Sequence, residues 1–144
     1  MVNKKKDHTT EQQILDAAKK VFVQKGMAGA RMQDIADEAG INKALLHYYF
    51  RNKEKLFEVI FMEAAAQLFP KINAIFDADQ PLFEKIENFC EEYIAIVMEN
   101  PYLPLFVLNE INQDPDYFLK KVWTGKSKPN PVKLLEQIEK EVKK

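Results

Sequence analysis

The chain has 144 residues, which suits one domain or a small domain attached to a second helical one. Nearly half of the residues are apolar and only four are glycine, a composition that favours a compact helical core and argues against disorder. The single cysteine excludes an internal disulfide and a multi-cysteine metal site, so a cytoplasmic location is expected. We find neither a signal peptide nor an apolar stretch of roughly 18 or more residues, so no membrane association is expected.

The net charge of −1 conceals an uneven distribution along the chain. Residues 1–56 hold eleven basic and seven acidic side chains, whereas residues 57–144 hold ten basic and fifteen acidic ones. A basic N-terminal part on an acidic remainder predicts a polyanionic partner for the N-terminal part alone. The alternative is an ordinary variation of charge that has no functional consequence.

The first predicted helix begins at Thr10, which we expect to be its N-cap, with Gln13 completing a capping box. One apolar face follows at helical spacing, and Gly26 supplies a left-handed stop.

The stretch "DIADEAGINKALLHYYF", residues 34–50, predicts two short helices joined by a turn at residues 39–42. Gly40 lets the backbone reverse, and Asn42 is expected to cap a third helix at about residues 43–49. Two helices joined by a short glycine-containing turn form a helix-turn-helix, whose second helix lies in the major groove of DNA. The apolar residues of both helices, Met32, Ile35, Leu46 and Phe50, are predicted to be core rather than DNA contacts.

The outward residues of the third helix carry the DNA-binding prediction. Lys43 lies in the first turn, where a cation is unfavourable beside the helix dipole unless it meets an anion such as a phosphate. His47, Tyr48 and Tyr49 can each donate a hydrogen bond to a phosphate or a base edge. Leu45 offers apolar contact, for instance to a thymine methyl group.

The next predicted helix starts at Asn52 and is long. Lys53, at its start, could hold a further phosphate together with the backbone amides. Pro70 predicts either a kink or a break and restart. Further helix starts are marked by proline, at positions 81, 101, 115 and 131, and residues 124–130 read as a polar loop. We find no strand pattern and no internal repeat, so the predicted fold class is all-α.

The segments "TTEQQILDAAKKVFVQKG" and "MQDIADEAGINKALLHYYFRNKEKLF" resemble the DNA-binding head of the TetR family of bacterial transcriptional regulators, from about Thr9 to about Phe61. The resemblance implies an N-terminal three-helix head with a helix-turn-helix over residues 1–61. A long fourth helix joins it to a helical effector-binding and dimerisation body over residues 62–144. Members bind palindromic double-stranded DNA operators as homodimers, most often as repressors released by a small-molecule effector.

Carried over by position, the resemblance places Lys43, His47, Tyr49 and Lys53 at phosphates and Leu45 and Tyr48 near base edges. Two departures concern the head. Ala30-Arg31 replaces the usual Thr or Ser cap of the second helix, although Arg31 could keep the phosphate contact, and Ala44 replaces a glycine. The full predicted DNA-binding set is Thr10, Arg31, Lys43, Ala44, Leu45, His47, Tyr48, Tyr49 and Lys53.

The body resembles the family only in architecture, and it is expected to be incomplete, because the chain ends at Lys144 within what resembles the first of two closing helices. Either the chain is shortened or dimerisation uses a different surface. The effector is expected to be apolar or amphipathic. Its candidate contacts, which could equally be ordinary core, are Phe61, Phe89, Tyr93, Tyr102, Phe106 and Trp123.

Two other classes of function have different requirements. Catalysis is not expected, because two histidines and one cysteine supply no zinc set and no Gly-rich phosphate loop is present. No cofactor is expected either, and Cys90 is predicted to be an inert buried thiol. The remaining alternative is a protein-interaction module that keeps the helix-turn-helix as a scaffold without binding DNA.

Overall fold

The computed structural model describes residues 4–123 and 128–144, with side chains described from Thr9 onward except that of Trp123. Over these ranges the fold is all-α, as predicted, and no residue in them forms a strand. The helices are α1 (Lys4–Gly29), α2 (Met32–Ala39), α3 (Lys43–Tyr49), α4 (Lys53–Asp77), α5 (Leu82–Glu99), α6 (Leu103–Gln113), α7 (Pro115–Trp123) and α8 (Val132–Val142). The predicted loop at 124–130 falls partly on residues 124–127, which lie outside the described residues.

The chain divides into two compact units. The first unit comprises Met1–Met62 and Asn100–Phe106, and the second comprises Glu63–Glu99 and Val107–Lys144. Residues 100–106 thus group with the N-terminal part, although the sequence assigned them to the body. As functional domains, residues 1–61 and 62–144 stay predictions.

An aromatic cluster forms part of the core of the first unit. The rings of Phe22 and Phe57 stack with centroids 3.9 Å apart, and the ring of Phe106 also stacks on Phe57, at 5.5 Å. Tyr102 meets Phe22 and Phe57 edge-on, and its buried hydroxyl donates to Asn100 Oδ1 at 3.0 Å. These contacts explain why residues 100–106 belong to this unit.

The start of α1 differs from the prediction. The helix begins at Lys4, so Thr10 lies inside it and is not its N-cap. The local capping signal is overridden because the preceding residues continue the helix. The side-chain amide of Gln13 instead donates to the backbone carbonyl of Ala39, the last residue of α2. Gly26 interrupts the helical backbone inside α1 with φ 70° and ψ 179°. The interruption falls at the predicted glycine, but the ψ is extended rather than left-handed, and the helix resumes as far as Gly29.

The α4 helix runs through Pro70 without a break. The alternative of a break and restart at this proline was therefore wrong. Proline removes one backbone N–H and leaves the carbonyl four residues earlier, at Ala66, without its usual donor. Ala66 is exposed, so water can satisfy that carbonyl.

By length and composition alone, α4 is apolar enough to cross a membrane, contrary to the expectation that no such stretch exists. Its residues Leu56, Phe57 and Ile60 are buried within the first unit. A core helix of a water-soluble protein has this same composition, so hydropathy does not distinguish the two cases for α4.

In the second unit, Phe76, Phe89 and Tyr93 stack in succession, with neighbouring centroids 5.9 and 6.0 Å apart. The α5 helix keeps one lysine, Lys85, only 4% exposed, with its ammonium donating to the Phe76 carbonyl at 2.8 Å.

Cys90, also on α5, is exposed rather than buried, so the prediction of a buried thiol was wrong. Apolar residues lie on more than one face of α5, so their periodicity did not identify the buried face.

Candidate nucleic-acid interface

The turn between α2 and α3 is closed by local hydrogen bonds. Gly40 adopts φ 70° and ψ 30°, the left-handed conformation that favours glycine, and the N–H of Ile41 donates to the Ala36 carbonyl at 3.0 Å. Asn42 then caps α3, its Oδ1 accepting from the backbone N–H of Leu45 at 2.7 Å. The predicted helix-turn-helix is thereby formed, with the predicted recognition-helix bounds of 43 and 49.

The α3 helix has a buried and an outward face. Leu46 is fully buried and the following Phe50 is 6% exposed, as predicted for core residues. Tyr49 is half-buried, and its ring meets that of Tyr48 edge-on at 5.3 Å. The exposed members of the predicted set on this helix are Lys43, Ala44, Leu45, His47 and Tyr48. With Tyr48 80% exposed, a large aromatic side chain stands in solvent on the helix that would face DNA.

The His47 ring is fixed to the backbone of the following turn. Its Nδ1 lies 3.0 Å from the carbonyl oxygen of Arg51. Because a carbonyl only accepts, Nδ1 must carry the proton and donate it. In the neutral ring, Nε2 is then an acceptor. The expectation that His47 donates to DNA therefore holds only for the doubly protonated ring.

Lys53 has a structural role that the sequence did not predict. Its ammonium donates to the carbonyls of Met27 at 2.6 Å and Ala30 at 3.1 Å, which ties the start of α4 to the segment between α1 and α2. Two of its three N–H groups are thus engaged within the first unit. A phosphate contact by Lys53 stays a prediction, whereas its positioning role is directly visible.

Arg31 occupies the N-cap position of α2 and is exposed, but its guanidinium has no acceptor atom with which to cap the helix. Asp34 compensates from inside the first turn, accepting from the Arg31 backbone N–H at 3.1 Å and pairing with the Lys25 ammonium at 3.0 Å. The hydrogen bond from Lys25 lowers the pKa of the Asp34 carboxyl below its ordinary value of 3.8. Desolvation opposes this effect, and the hydrogen bond from the Arg31 N–H adds to the lowering of the pKa. Sequence reasoning missed this pair, although an aspartate three residues after the cap was the available signal.

The effector candidates are distributed between the two units. Phe61 and Phe106 meet at 5.8 Å in the first unit, where Tyr102 is also buried, whereas Phe89 and Tyr93 stack in the second. The side chain of Trp123 lies outside the described residues. All five described rings therefore pack against other aromatic rings, and their role as effector contacts stays a prediction.

Two clefts contain none of these five rings. One, of about 590 Å³, lies along α1 and the end of α2 and has a polar lining that includes Gln12, Lys20 and Glu38. The other, of about 90 Å³, lies between α4 and α5 within the second unit, where Lys71 and Glu92 pair at 3.3 Å. In the part of the chain that the structure describes, no group of three His, Cys, Asp or Glu side chains could hold a metal ion.

Comparison with known proteins gives these features a context. The sequence profile of a family described as bacterial regulatory proteins, tetR family, matches residues 14–60, which include the whole helix-turn-helix. The HTH-type transcriptional regulator BetI of Brucella anthropi is 27% identical over 131 residues, covering 88% of this chain and 67% of the relative. The HTH-type transcriptional repressor AcnR of Corynebacterium efficiens is 24% identical over 117 residues, covering 80% and 56% respectively.

A solved structure shares both sequence and fold. The TetR family transcriptional regulator PfmR of Thermus thermophilus is 29% identical, with a TM-score of 0.58, over 74% of this chain and 59% of that one. The chain thus spans little more than half to two thirds of the length of these relatives. Residues 14–60 therefore match the tetR family of bacterial regulatory proteins, and the all-α fold is similar to that of a solved member of the family.

Proposed function

We propose that this chain is a sequence-specific, double-stranded-DNA-binding regulator of transcription that inserts α3 into the major groove. The observation that carries the proposal is the capped helix-turn-helix at residues 32–49, in which α3 presents five exposed side chains. This motif lies within the segment that matches the family. In this motif the first residues of the second helix face base edges while neighbouring residues contact the backbone.

The proposed contacts follow from the position and chemistry of each side chain. Lys43, exposed in the first turn of α3, pairs with a phosphate, and exposed Arg31 does the same from the start of α2. Leu45 and Tyr48 lie at base edges, where Leu45 supplies apolar contact and Tyr48 a hydroxyl donor. Ala44 lets α3 approach DNA closely because its side chain is small, and the positioning by Lys53 keeps the entry to α4 in place.

The wider activity proposed for the chain follows its relatives. Curated relatives carry the names transcriptional repressor and transcriptional regulator, and we assign repression of transcription, in the cytoplasm, as the proposed activity. A homodimer would place two copies of α3 on a palindromic operator with half-sites about 34–36 Å apart. An apolar or amphipathic small molecule would release the DNA by binding the DNA-incompetent state more tightly.

Selection from a pool of random duplexes, followed by fluorescence anisotropy across a salt series, tests the proposal. We expect enrichment of a palindromic duplex and an affinity that falls steeply with salt, because each neutralised phosphate adds about 0.9 to the slope of log K against log salt. Lys43→Ala should lower that slope by about 0.9 without changing sequence preference, whereas Tyr48→Ala should change preference without changing the slope.

Lys120→Ala is the matched control, because Lys120 is an exposed lysine on α7 of the second unit and lies outside the proposed interface. It should leave both the slope and the preference unchanged. Failure to enrich any duplex, together with no change in anisotropy on adding the chain to a duplex at any salt concentration, would exclude DNA binding by this chain.

A further inference from the structure

The imidazole of His47 is the outward side chain of α3 whose two ring nitrogens can each donate or accept a hydrogen bond, depending on which of them carries a proton. The ring is exposed, but it is not free to choose its tautomer, because its Nδ1 lies 3.0 Å from the Arg51 carbonyl oxygen. An oxygen that only accepts fixes the proton on Nδ1, so Nε2 is the atom available to a ligand.

The chemistry of Nε2 changes with protonation. Without a second proton, Nε2 presents a lone pair, and a phosphate oxygen presents lone pairs as well, so the two atoms repel. With the second proton, Nε2–H donates to the phosphate while Nδ1–H still donates to Arg51, and the ring adds a positive charge. The anchored ring therefore does not need to rotate to form the phosphate contact.

The position of His47 favours a phosphate over a base edge. By helical periodicity, Leu45 and Tyr48, which are assigned to base edges, lie on a different side of α3 from His47. Lys43 precedes it by one helical turn on the same face, and Arg51 follows it, so an anion would meet several cations.

The acidic groups near the end of α2 have partners of their own, and the first turn of α4 carries lysine and glutamate side chains. Asp37 of α2 accepts from Gln33 at 2.8 Å, and Glu38 pairs with Lys20 at 3.8 Å. In the first turn of α4, Lys53 is engaged by two carbonyls and Glu54 is exposed. Within the described part of the chain no ion pair involves His47, so a DNA phosphate would be its counter-ion.

We propose that His47 is a proton-linked phosphate contact, so that the binding of double-stranded DNA by this chain takes up a proton and strengthens as the pH falls. This inference rests on the proposed DNA-binding function and specifies how one residue of the interface is regulated. Tyrosine in the same place would donate at any pH in the neutral range, whereas the anchored histidine donates only when doubly protonated.

The test uses the full chain and a fluorescein-labelled duplex of about 30 base pairs. The duplex has one arbitrary sequence, the same in every measurement, since phosphate contacts dominate non-specific binding. Anisotropy gives Kd at about pH 6 and about pH 8 at constant ionic strength, on either side of the ordinary histidine range. For the unmodified chain we expect binding to be about three- to tenfold tighter at the lower pH. The slope of log K against log salt should be steeper there by about 0.9, one additional phosphate contact.

Two glutamine variants locate the effect, because the chain has only two histidines. His8→Gln should keep the full pH dependence. His47→Gln should bind with the same Kd and the same salt slope at both pH values, because glutamine does not titrate. Circular dichroism at both pH values checks that the exposed substitution leaves the helices intact.

Three results would overturn the inference. The first is a salt-dependent affinity that does not change with pH in the unmodified chain, which leaves DNA binding itself intact. The second is an unchanged pH dependence in His47→Gln. The third is an imidazole ¹⁵N NMR spectrum of the free chain at about pH 8 in which Nε2, not Nδ1, carries the proton. Absence of salt-dependent binding in every variant at both pH values would instead overturn the proposed function and this inference with it.

Discussion

The two compact units differ in how completely they bury their apolar side chains. In the first unit, Ile14, Ala18, Leu46 and Phe57 are completely buried, and the outward side of α3 is largely polar. The second unit leaves large apolar side chains in solvent, among them Phe83 at 77%, Met98 at 77%, Leu108 at 64% and Val142 at 79% exposed. The helices of the first unit enclose a core, whereas those of the second unit leave many of their apolar side chains uncovered.

This difference matches the division of roles that we propose. A recognition helix must be held rigidly on a closed core, so that its outward side chains meet DNA in a fixed register. Contiguous exposed apolar surface, by contrast, marks places where a protein meets another molecule. The second unit exposes more large apolar side chains than the first, so we assign the proposed dimerisation to it.

The largest effect that tests this comparison is expected from paired phenylalanine truncations. Phe57→Ala should lower the free energy of unfolding by about 3–5 kcal/mol, because it removes a fully buried ring that stacks on two others. Phe83→Ala, at a position 77% exposed, should change it by no more than about 0.5 kcal/mol. Urea unfolding followed by circular dichroism measures both. Equal losses would show that Phe83 is covered in solution and would remove the contrast between the units.

The features of the first unit that the sequence predicted correctly are those set by neighbouring residues. Gly40 marks the turn because of its positive φ, and Asn42 and Asn52 each cap the helix that follows them, Asn52 by accepting from Lys55 at 2.9 Å. Each of these signals acts over three residues or fewer, so a linear reading detects it.

The features that the sequence did not predict depend on residues far apart in the chain or on the degree of burial. Lys53 reaches back 26 residues to the Met27 carbonyl, and Lys25 pairs with Asp34 across the end of α1. Thr10 carried a plausible local cap, which the longer α1 overrode. Cys90 lies on a helix with apolar residues on several sides, where periodicity does not select the buried face.

An intermediate effect is expected from Lys85, where the second unit does enclose a charged group. Lys85→Met keeps the apolar stem but removes the donor to the Phe76 carbonyl near the C-terminal end of α4, so unfolding should become easier by about 1–3 kcal/mol. Lys71→Met is the matched control. It removes a lysine from the same unit that is 61% exposed and paired with Glu92, and should cost no more than about 1 kcal/mol. Equal costs in the urea unfolding of the two variants would mean that the second unit is open to solvent around Lys85 as well.

The smallest effect is expected in the first unit, from the exposed pair that supports the start of α2. The Lys25 ammonium and the Arg31 N–H hold the pKa of Asp34 lower in the folded chain than in the unfolded chain. The stabilisation by the Asp34 carboxylate is therefore fully present above the ordinary value of 3.8 and is lost as the pH falls through the lowered pKa of the folded chain. Asp34→Asn should make the chain less stable than the unmodified one near neutral pH, with the difference shrinking in acid, as urea unfolding across the acidic range would show. Lys25→Met should raise the pKa of Asp34 towards its ordinary value in a carboxyl ¹³C NMR titration. If the stability difference between Asp34→Asn and the unmodified chain persists unchanged in acid, the effect comes from hydrogen bonding rather than from charge. The reason is that the asparagine amide and the protonated carboxyl are both neutral.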